Sequence, residues 1–178
     1  LPEVEAMKGV AQPSQYHLEG DVLEHAIEAL DSLPAKISAS VRWAVFLHDI
    51  GKTETFVLKE RIRFDHHAER SGEIVKKIME RLHFSREECE HVSWLVRHHM
   101  MVVDLIKMPI GRQRHWFLQP WFKDLLVVFK ADVAGTKPHN FDLYKKVEKL
   151  YKDTLKTFKK RPKPLLTGHE VMVLLKIK

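Results

Sequence analysis

The sequence predicts an all-α fold, and three observations support that prediction. Apolar residues recur at spacings of three and four along most of the chain, as they do on one face of a helix. Candidate caps, prolines and glycines separate these stretches from one another. Only residues 56–64 alternate loosely between apolar and polar positions, as a strand does. The 178 residues, 44% hydrophobic and 30% charged, suffice for one globular core.

The elements follow in order from these signals. We predict helices over residues 21–33, 40–49, 65–84, 85–102, 121–134 and 141–160, with a short hairpin or extended loop over residues 56–64. Pro34 closes the first helix, and Ser40 and Asp65 are the expected N-caps of the second and third. The fourth helix begins with a capping-box pattern, in which Ser85 is the cap and Glu88 the third helical residue.

Two segments between the later helices are predicted to be irregular. Residues 107–120 contain two prolines and are expected to form a loop that carries Arg112 and Arg114. Residues 135–140, "GTKPHN", are expected to form the loop that precedes the last long helix.

The end of the chain is expected to lie outside the main domain, which we assign to residues 1–160. The string "RPKPLL" at 161–166 indicates a linker, and "TGHE" at 167–170 is a second capping-box pattern, which begins a further C-terminal helix within residues 161–178. The chain does not begin with methionine and this last helix stops short. We therefore expect the chain to be part of a longer protein.

The composition narrows the classes of function. The single cysteine, Cys89, excludes an internal disulfide and fits a reducing, cytoplasmic location. No apolar run approaches the roughly 20 residues that a membrane helix needs, so no membrane partner is expected. The formal net charge of +6 favours polyanionic partners without identifying one.

Polar residues recur on the faces of these helices that should turn toward the core. They are His25, the pair His48 and Asp49 at the end of an apolar run, His67, His99 and Asp132. One buried histidine is usually bonded to a backbone carbonyl, but several imidazoles and carboxylates inside a helical domain destabilise it unless a cation compensates them. Mixed nitrogen and oxygen donors predict a divalent metal: Mn, Ni, Co, Mg, Fe or Zn.

The order of these residues resembles the HD superfamily of metal-dependent phosphohydrolases, and the strings "HDIGK" (48–52) and "LVRHHM" (95–100) strengthen the resemblance. The resemblance implies an HD-domain helical bundle that binds one or two metal ions. It further implies that His25, His48, Asp49 and Asp132 hold the first ion, and that His67 and His99 add ligands where a second ion binds.

The neighbouring histidine pairs need separate treatment. In "FDHHAER", His66 stands where the resemblance leads us to expect a glycine, so either His66 or His67 can turn inward. Helical spacing to Ile74 favours His67, and the same argument favours His99 over His98.

The resemblance extends to one branch of the superfamily and covers almost the whole chain. Stretches such as "LEGDVLEHAIEAL", "RFDHHAERSGEIVKK" and "PLLTGHEVM" look like the region that follows the nucleotidyltransferase head in bacterial CCA-adding enzymes and poly(A) polymerases. This implies a nucleotide or an RNA 3′ end as the partner, with tRNA as a candidate. No Asp-x-Asp follows a Gly-Ser strand, so these residues alone are not expected to add nucleotides.

The chemistry expected of a metallated site is hydrolysis of a phosphomonoester or a 2′,3′-cyclic phosphodiester on a nucleotide or an RNA end. Asp49 is expected to bind metal and orient water, and Lys52 to neutralise charge on the phosphoryl group. Arg112 and Arg114 are expected to bind phosphate. The plainer alternatives are that Lys52 complements a helix dipole and that the arginines are solvated loop residues.

Two other functions compete with RNA-end hydrolysis. One is a non-catalytic module that positions RNA, since lysines repeat along one face of the last long helix at 145, 149, 152, 156 and 159. Its apolar face, at 144, 147, 151, 155 and 158, is expected to join the core. The other is a standalone nucleotide phosphatase. A lysine stripe is more often simply a solvated face, so activity and substrate length must discriminate these functions.

Overall fold

The computed structural model describes residues 1–13, 18, 20–158, 172, 174 and 175, and in this part of the chain it confirms the all-α prediction. The predicted linker at 161–166, the capping pattern at 167–170 and Lys159 of the lysine stripe lie outside the described residues. Among the described residues, no helix is both long enough and apolar enough to cross a membrane.

The bundle consists of helices joined by short connections. In chain order they are α1 (Pro2–Glu5), α2 (Val22–Asp31), α3 (Ala39–Leu47), α4 (Lys52–Thr55), α5 (His67–Arg81), α6 (Arg86–His98), α7 (Met101–Asp104), α8 (Ile110–Phe117), α9 (Phe122–Gly135) and α10 (Asp142–Thr157). Helix α5 packs along α6, α2 along α9, and α3 contacts α2, α6 and α9. Helix α3 therefore runs through the middle of the core, and its C-terminal end lies among the other helices.

Residues 56–64 form the hairpin that was one of the two predicted alternatives. Strands β1 (Phe56–Leu58) and β2 (Ile62–Phe64) pair antiparallel, with Phe56 opposite Phe64. The hairpin connects α4 to α5, and its strand β2 contacts α4.

The predicted capping box at Ser85 and Glu88 is confirmed. The Ser85 hydroxyl accepts a hydrogen bond from the Glu88 amide at 3.3 Å, and the Glu88 carboxylate accepts one from the Ser85 amide at 2.9 Å. Asp21 and Glu24 form a similar box at the start of α2 that the sequence reading missed. Both boxes satisfy amide groups that a helix start leaves without partners.

Two predicted N-caps are wrong. Helix α3 is capped by Ser38 rather than Ser40: the Ser38 hydroxyl accepts from the Val41 amide, and Ser38 has the extended backbone of a cap. Asp65 does not cap α5, because its carboxylate pairs with Arg63 on β2 at 2.9 Å. Ser38 and Ser40 are both suitable cap residues, and the apolar stripe that follows does not rank them.

The predicted helix over 85–102 is also wrong, because it ends early. The His99 imidazole donates from Nδ1 to the Val96 carbonyl at 2.7 Å, at the point where α6 ends and before α7 begins at Met101. A carbonyl that accepts a side-chain donor competes with continuation of the helical backbone ladder. Helix α3 ends in the same way, since His48 Nδ1 donates to the Val45 carbonyl at 2.7 Å.

The segment 107–120 is more regular than predicted. It contains helix α8, which begins directly after Pro109, where the fixed backbone angle of proline suits a helix start. The Pro109 carbonyl accepts from the Arg112 and Gln113 amides at 2.8 and 3.0 Å. Arg112 and Arg114 therefore lie on a helix, and the prediction that they lie in a loop is wrong.

Candidate metal centre

The end of α3 meets four other helices at one cluster of histidines and aspartates. His25 on α2 and Asp132 on α9 both lie next to His48, at the end of α3. We name this set the His25 group (His25, His48 and Asp132). His25 Nε2 lies 3.1 Å from Asp132 Oδ1 and 3.3 Å from His48 Nε2, and His48 Nε2 lies 3.5 Å from Asp132 Oδ1.

A second set adjoins the first and shares its core. We name it the Asp49 group (Asp49, His67 and His99), with His67 at the start of α5 and His99 just past the end of α6. Asp49 Oδ1 lies 3.3 Å from His67 Nε2 and 3.6 Å from His99 Nε2, while Asp49 Oδ2 lies 3.3 Å from His48 Nε2. The structure thus brings together all of the residues predicted to bind metal.

The cluster is buried on one side and opens onto a cleft on the other. His25, His48, Asp49 and His99 are at most 2% exposed, whereas the side chains of His67 and Asp132 are 13% and 20% exposed. The cleft has a volume of about 470 Å³, and its walls include Asp49, His67, His99 and Asp132. A ligand in the cleft can therefore reach both groups.

Backbone carbonyls fix the orientation of three of the imidazoles. His48, His67 and His99 each direct Nδ1 to the carbonyl three residues earlier in the chain, at 2.7, 2.9 and 2.7 Å. A carbonyl only accepts, so Nδ1 carries the proton and Nε2 is the nitrogen left for a ligand. All three Nε2 atoms point into the cluster, which is the arrangement that metal-binding histidines adopt.

The electrostatics of the His25 group are dominated by two carboxylates. Burial lowers the pKa of His48, but the neighbouring charges of Asp49 and Asp132 outweigh it and raise that pKa to about 10. Burial likewise raises the pKa of Asp132, yet its bonds to His25 and His48 bring it well below the usual value. Without a metal ion, a proton on His48 therefore offsets part of the carboxylate charge.

In the Asp49 group, the charges of Lys52 and His48 offset that of Asp49 on its Oδ2 side, and its Oδ1 faces His67 and His99. Burial lowers the pKa of His99, so its Nε2 holds a lone pair rather than a proton. Asp49 Oδ1 and His67 Nε2 are buried and have no hydrogen-bond partner among the residues that the structure describes. Acceptors therefore face one another at 3.3 to 3.6 Å, an arrangement that a cation between them stabilises. The donors present thus fit a divalent metal ion.

Two glycines allow the helices to come this close. A Cβ on Gly51 would lie 2.5 Å from the His67 carbonyl oxygen and 2.5 Å from the Ser71 amide, and the Gly51 amide itself donates to the Ser71 hydroxyl at 2.8 Å. On the other side, a Cβ on Gly135 would lie 2.9 Å from the His25 carbonyl oxygen. Gly51 has φ −69, which any residue adopts, so glycine is required at this position for space.

Lys52 lies against the Asp49 group at the first position of α4. It is 6% exposed, its ammonium is 2.6 Å from Asp49 Oδ2 and from Gln12 Oε1, and it lies 5.2 Å from the centre of the Phe64 ring. Burial raises the pKa of Asp49, but Lys52 and His48 bring it well below the usual value. The alternative role, in which Lys52 complements the dipole at the end of α3, stays a prediction.

The predicted phosphate-binding arginines lie elsewhere. Arg112 and Arg114 are not among the described residues that line the cleft, and Arg114 lies 4.5 Å over the ring of Phe158 instead. Arg63, which the sequence reading missed, does line the cleft.

In each pair of neighbouring histidines, the one favoured by helical spacing faces the cluster. His67 turns to the cluster while His66 is exposed, and His66 has φ 60, in the left-handed region where the resemblance led us to expect glycine. His99 is buried in the cluster, whereas His98 bonds the Trp94 carbonyl at 2.8 Å and faces away.

The basic face of α10 is solvated along its described length. Lys145 and Lys149 are exposed, and Lys152 and Lys156 pair with acids on the same helix at 2.9 Å. On the apolar face, Val147 is buried as predicted, but the prediction for position 155 is wrong, since Leu155 is 38% exposed.

Comparisons with known proteins agree with this geometry. A family model described as "HD domain" matches residues 21–114. The chain is 31% identical to an A-adding tRNA nucleotidyltransferase of Deinococcus radiodurans and 32% identical to a CC-adding tRNA nucleotidyltransferase of Thermus thermophilus, in each case over 98% of the chain. It is also 40% identical, over 46% of its length, to a multifunctional CCA protein of an Azoarcus species.

These relatives are longer than the chain. The match covers 42% of the Deinococcus protein, 41% of the Thermus protein and 20% of the Azoarcus protein. The chain therefore corresponds to about two fifths of the first two.

Proposed function

The chain belongs to the HD domain family, a superfamily of metal-dependent phosphohydrolases, and from that premise we propose that its centre hydrolyses phosphate esters. The observation that carries the proposal is the Asp49 group, in which buried acceptors face one another across 3.3 to 3.6 Å and two of them have no hydrogen-bond partner among the described residues. A scaffold has no physical need for such a group, because unsatisfied buried acceptors destabilise a fold by about 1–3 kcal/mol each.

Both groups would take part in binding metal. The His25 group together with Asp49 would hold one ion, and His67 and His99 would add ligands where a second ion binds. When bound, a divalent ion supplies Lewis acidity, which lowers the pKa of water and draws charge from a phosphoryl oxygen. The candidate ions are Mn, Ni, Co, Mg, Fe and Zn.

The chain's own residues bind and orient the phosphate. The Lys52 ammonium lines the cleft and stabilises charge that builds on the phosphoryl oxygens. The Asp49 carboxylate keeps that ammonium in place and orients the attacking water. Arg63 contributes a guanidinium at the cleft mouth, a role that the sequence reading gave to Arg112 and Arg114.

The substrate is a phosphomonoester or a 2′,3′-cyclic phosphodiester on a nucleotide or an RNA end. The relatives' names, which specify tRNA, support an RNA end over a free metabolite.

The test is metal-dependent phosphate release. The chain is stripped with a chelator, given each ion in turn, and assayed with a 2′,3′-cyclic nucleotide, a short RNA ending in a 2′,3′-cyclic phosphate, and p-nitrophenyl phosphate. We expect turnover with at least one ion, and a loss of about a thousandfold in Asp49→Asn. Asp104→Asn, which removes an exposed carboxylate paired only with Lys107 among the described residues, is the matched control. Equal rates in both variants, or no turnover with any ion, would overturn the proposal.

A second candidate function is the positioning of RNA without hydrolysis, and the exposed lysines of α10 favour it. Lys145 and Lys149 are exposed on one face, as phosphate contacts require. If this face binds RNA, Lys145→Glu with Lys149→Glu should weaken tRNA binding and flatten its salt dependence. The charge-matched control is Lys76→Glu with Lys77→Glu on α5. Equal effects in the two pairs would show only a general charge effect.

A further inference from the structure

We propose that Gln12 is a positioning residue that holds the Lys52 ammonium at the cleft, an inference that rests on the proposed hydrolytic function. Gln12 is 40 residues away in sequence and carries no motif that would connect it to the centre. Three steps support the inference: its contact with Lys52, its anchoring to α2, and the chemistry of an uncharged acceptor.

The contact is short and buried. Lys52 Nζ donates to Gln12 Oε1 at 2.6 Å, and the two residues are 6% and 7% exposed. At the other end of the same side-chain amide, Gln12 Nε2 donates to the Asp21 carbonyl at 3.3 Å. An ammonium only donates and a carbonyl only accepts, so these partners fix which end of the amide faces Lys52.

The segment that carries Gln12 is tied to the helix that presents His25. Ala11 forms an antiparallel bridge with Asp21, and the Val22 amide donates to the Val10 carbonyl at 3.2 Å. The Asp21 carboxylate caps α2 and also accepts from the Gly9 amide. Gln12 therefore connects the start of α2 to Lys52, which follows His48 and Asp49.

An uncharged acceptor suits this position better than a carboxylate would. An ammonium carries three donors, and Gln12 occupies one of them while Asp49 lies beside the group. Because Gln12 is neutral, it fixes the ammonium without cancelling the charge that is to face a phosphoryl oxygen. Because Asp49 also faces four imidazoles, its carboxylate alone does not define where the flexible lysine side chain points.

The first test reads the position of Lys52 and does not depend on activity. Metal-free protein is treated with an amine-reactive acylating reagent, and the modification of Lys52 is followed by mass spectrometry. We expect slow modification in the wild type and a severalfold faster one in Gln12→Ala. The matched control is Gln113→Ala, which should leave the rate unchanged. Gln113 lies on α8, and its half-buried side-chain amide donates to the Met108 carbonyl. An unchanged rate in Gln12→Ala, at an unchanged melting temperature, would overturn the proposal.

The second test reads catalysis on the metal-loaded protein. We expect Gln12→Ala to lower kcat about tenfold and to keep KM within about twofold, because the lysine contact strengthens in the transition state. Gln12→Glu should lower kcat at least as much, since it neutralises Lys52. In a Lys52→Met background, Gln12→Ala should have no further effect, whereas independent losses in the double variant would overturn the positioning role.

The two proposals fail differently. If the wild type hydrolyses no phosphate ester with any ion, the proposed function falls, and the acylation rates alone decide whether Gln12 holds Lys52. If the wild type is active and Gln12→Ala is as active, the positioning role falls while the function stands.

Discussion

The His25 group and the Asp49 group contain the same residue types at similar spacing, yet they are stabilised differently. In the His25 group, the imidazoles and Asp132 lie 3.1 to 3.5 Å apart, and a proton on His48 joins them. In the Asp49 group, Asp49 Oδ1 and His67 Nε2 are buried without hydrogen-bond partners among the described residues. The difference indicates that a proton can substitute for a cation in the first group but not in the second.

The cause of the difference is the number of carboxylates that each imidazole meets. His48 lies within 3.5 Å of both Asp49 and Asp132, so together they hold a proton on it despite complete burial. His67 and His99 share Asp49 alone, and Lys52 already offsets part of its charge. The Asp49 group is therefore the part of the centre whose stability should respond most to metal.

The largest expected effect comes from Gly51, which lies two residues after Asp49 and packs against α5. Gly51→Ala would drive a Cβ to 2.5 Å from backbone atoms of α5, which cannot move aside as a side chain can. We expect the free energy of unfolding to fall by about 3 kcal/mol and metal binding to be lost. Gly135→Ala, beside the His25 group at 2.9 Å, should lower the free energy of unfolding by about 1–2 kcal/mol.

Denaturant unfolding measures both variants. Gly111→Ala is the control, since no atom of the described residues lies within 4 Å of its Cβ position, and it should change stability by less than about 1 kcal/mol. If Gly51→Ala unfolds as Gly111→Ala does, the close approach of Gly51 to α5 is not what positions His67.

The next prediction compares the stability that a histidine contributes in each of the two groups. In metal-free protein, His25→Ala should lower the free energy of unfolding by about 2–3 kcal/mol, because it leaves a cavity and removes the bond to Asp132. His67→Ala should change it by less than about 1 kcal/mol, because it also removes an unsatisfied nitrogen. Added metal should stabilise the wild type far more than His67→Ala. Equal losses in the two metal-free variants would mean that the groups do not differ.

A smaller effect concerns the proton on His48. Its pKa is raised to about 10, so the proton is bound at pH 7.5 in metal-free protein and must leave when a metal takes Nε2. Metal binding should therefore release about one proton at pH 7.5, and should weaken about tenfold for each pH unit below that. Calorimetric titration in two buffers of different ionisation enthalpy counts the released protons. A heat that is independent of buffer would contradict the proton on His48.

The smallest effect tests the border of the Asp49 group. His66 has φ 60, which costs a residue with a Cβ about 1–2 kcal/mol, so His66→Gly should raise the free energy of unfolding by about 0.5–1 kcal/mol. His83 has the same φ just past the end of α5, away from the centre, and is the matched control. Both variants should leave metal affinity unchanged, and a loss of affinity in His66→Gly alone would make His66 part of the centre.

Helical periodicity allowed much of this molecule to be predicted. The positions of Ile74 relative to His67, and of Val92 relative to His99, placed both imidazoles on core-facing surfaces. Contacts across long sequence distances could not be obtained in this way. The contact of Gln12 with Lys52 and the fit of Gly51 against α5 depend on how segments pack, and no local pattern encodes them.

The errors have a common origin in local competition. Ser38 and Ser40 are equally good caps in isolation, and only the backbone at Ser38 decides between them. Prolines in residues 107–120 suggested a loop, but Pro109 stands where it starts a helix. Arg112 and Arg114 were assigned to phosphate because of that supposed loop, and the error in structure carried into the assignment of function.

The imidazole bonds that end α3 and α6 have a consequence for insertions and deletions. Because His48 and His99 close their own helices by bonding carbonyls three residues earlier, one residue added inside α3 or α6 would turn the ligand by about 100° and push it about 1.5 Å along the axis. The hairpin tip at residues 59–61 is exposed and follows Lys52, so added length there leaves every ligand on its helix. Length variation in this fold should therefore collect at the hairpin tip, next to the cleft, where it would change access to the metal centre and leave the ligands in place.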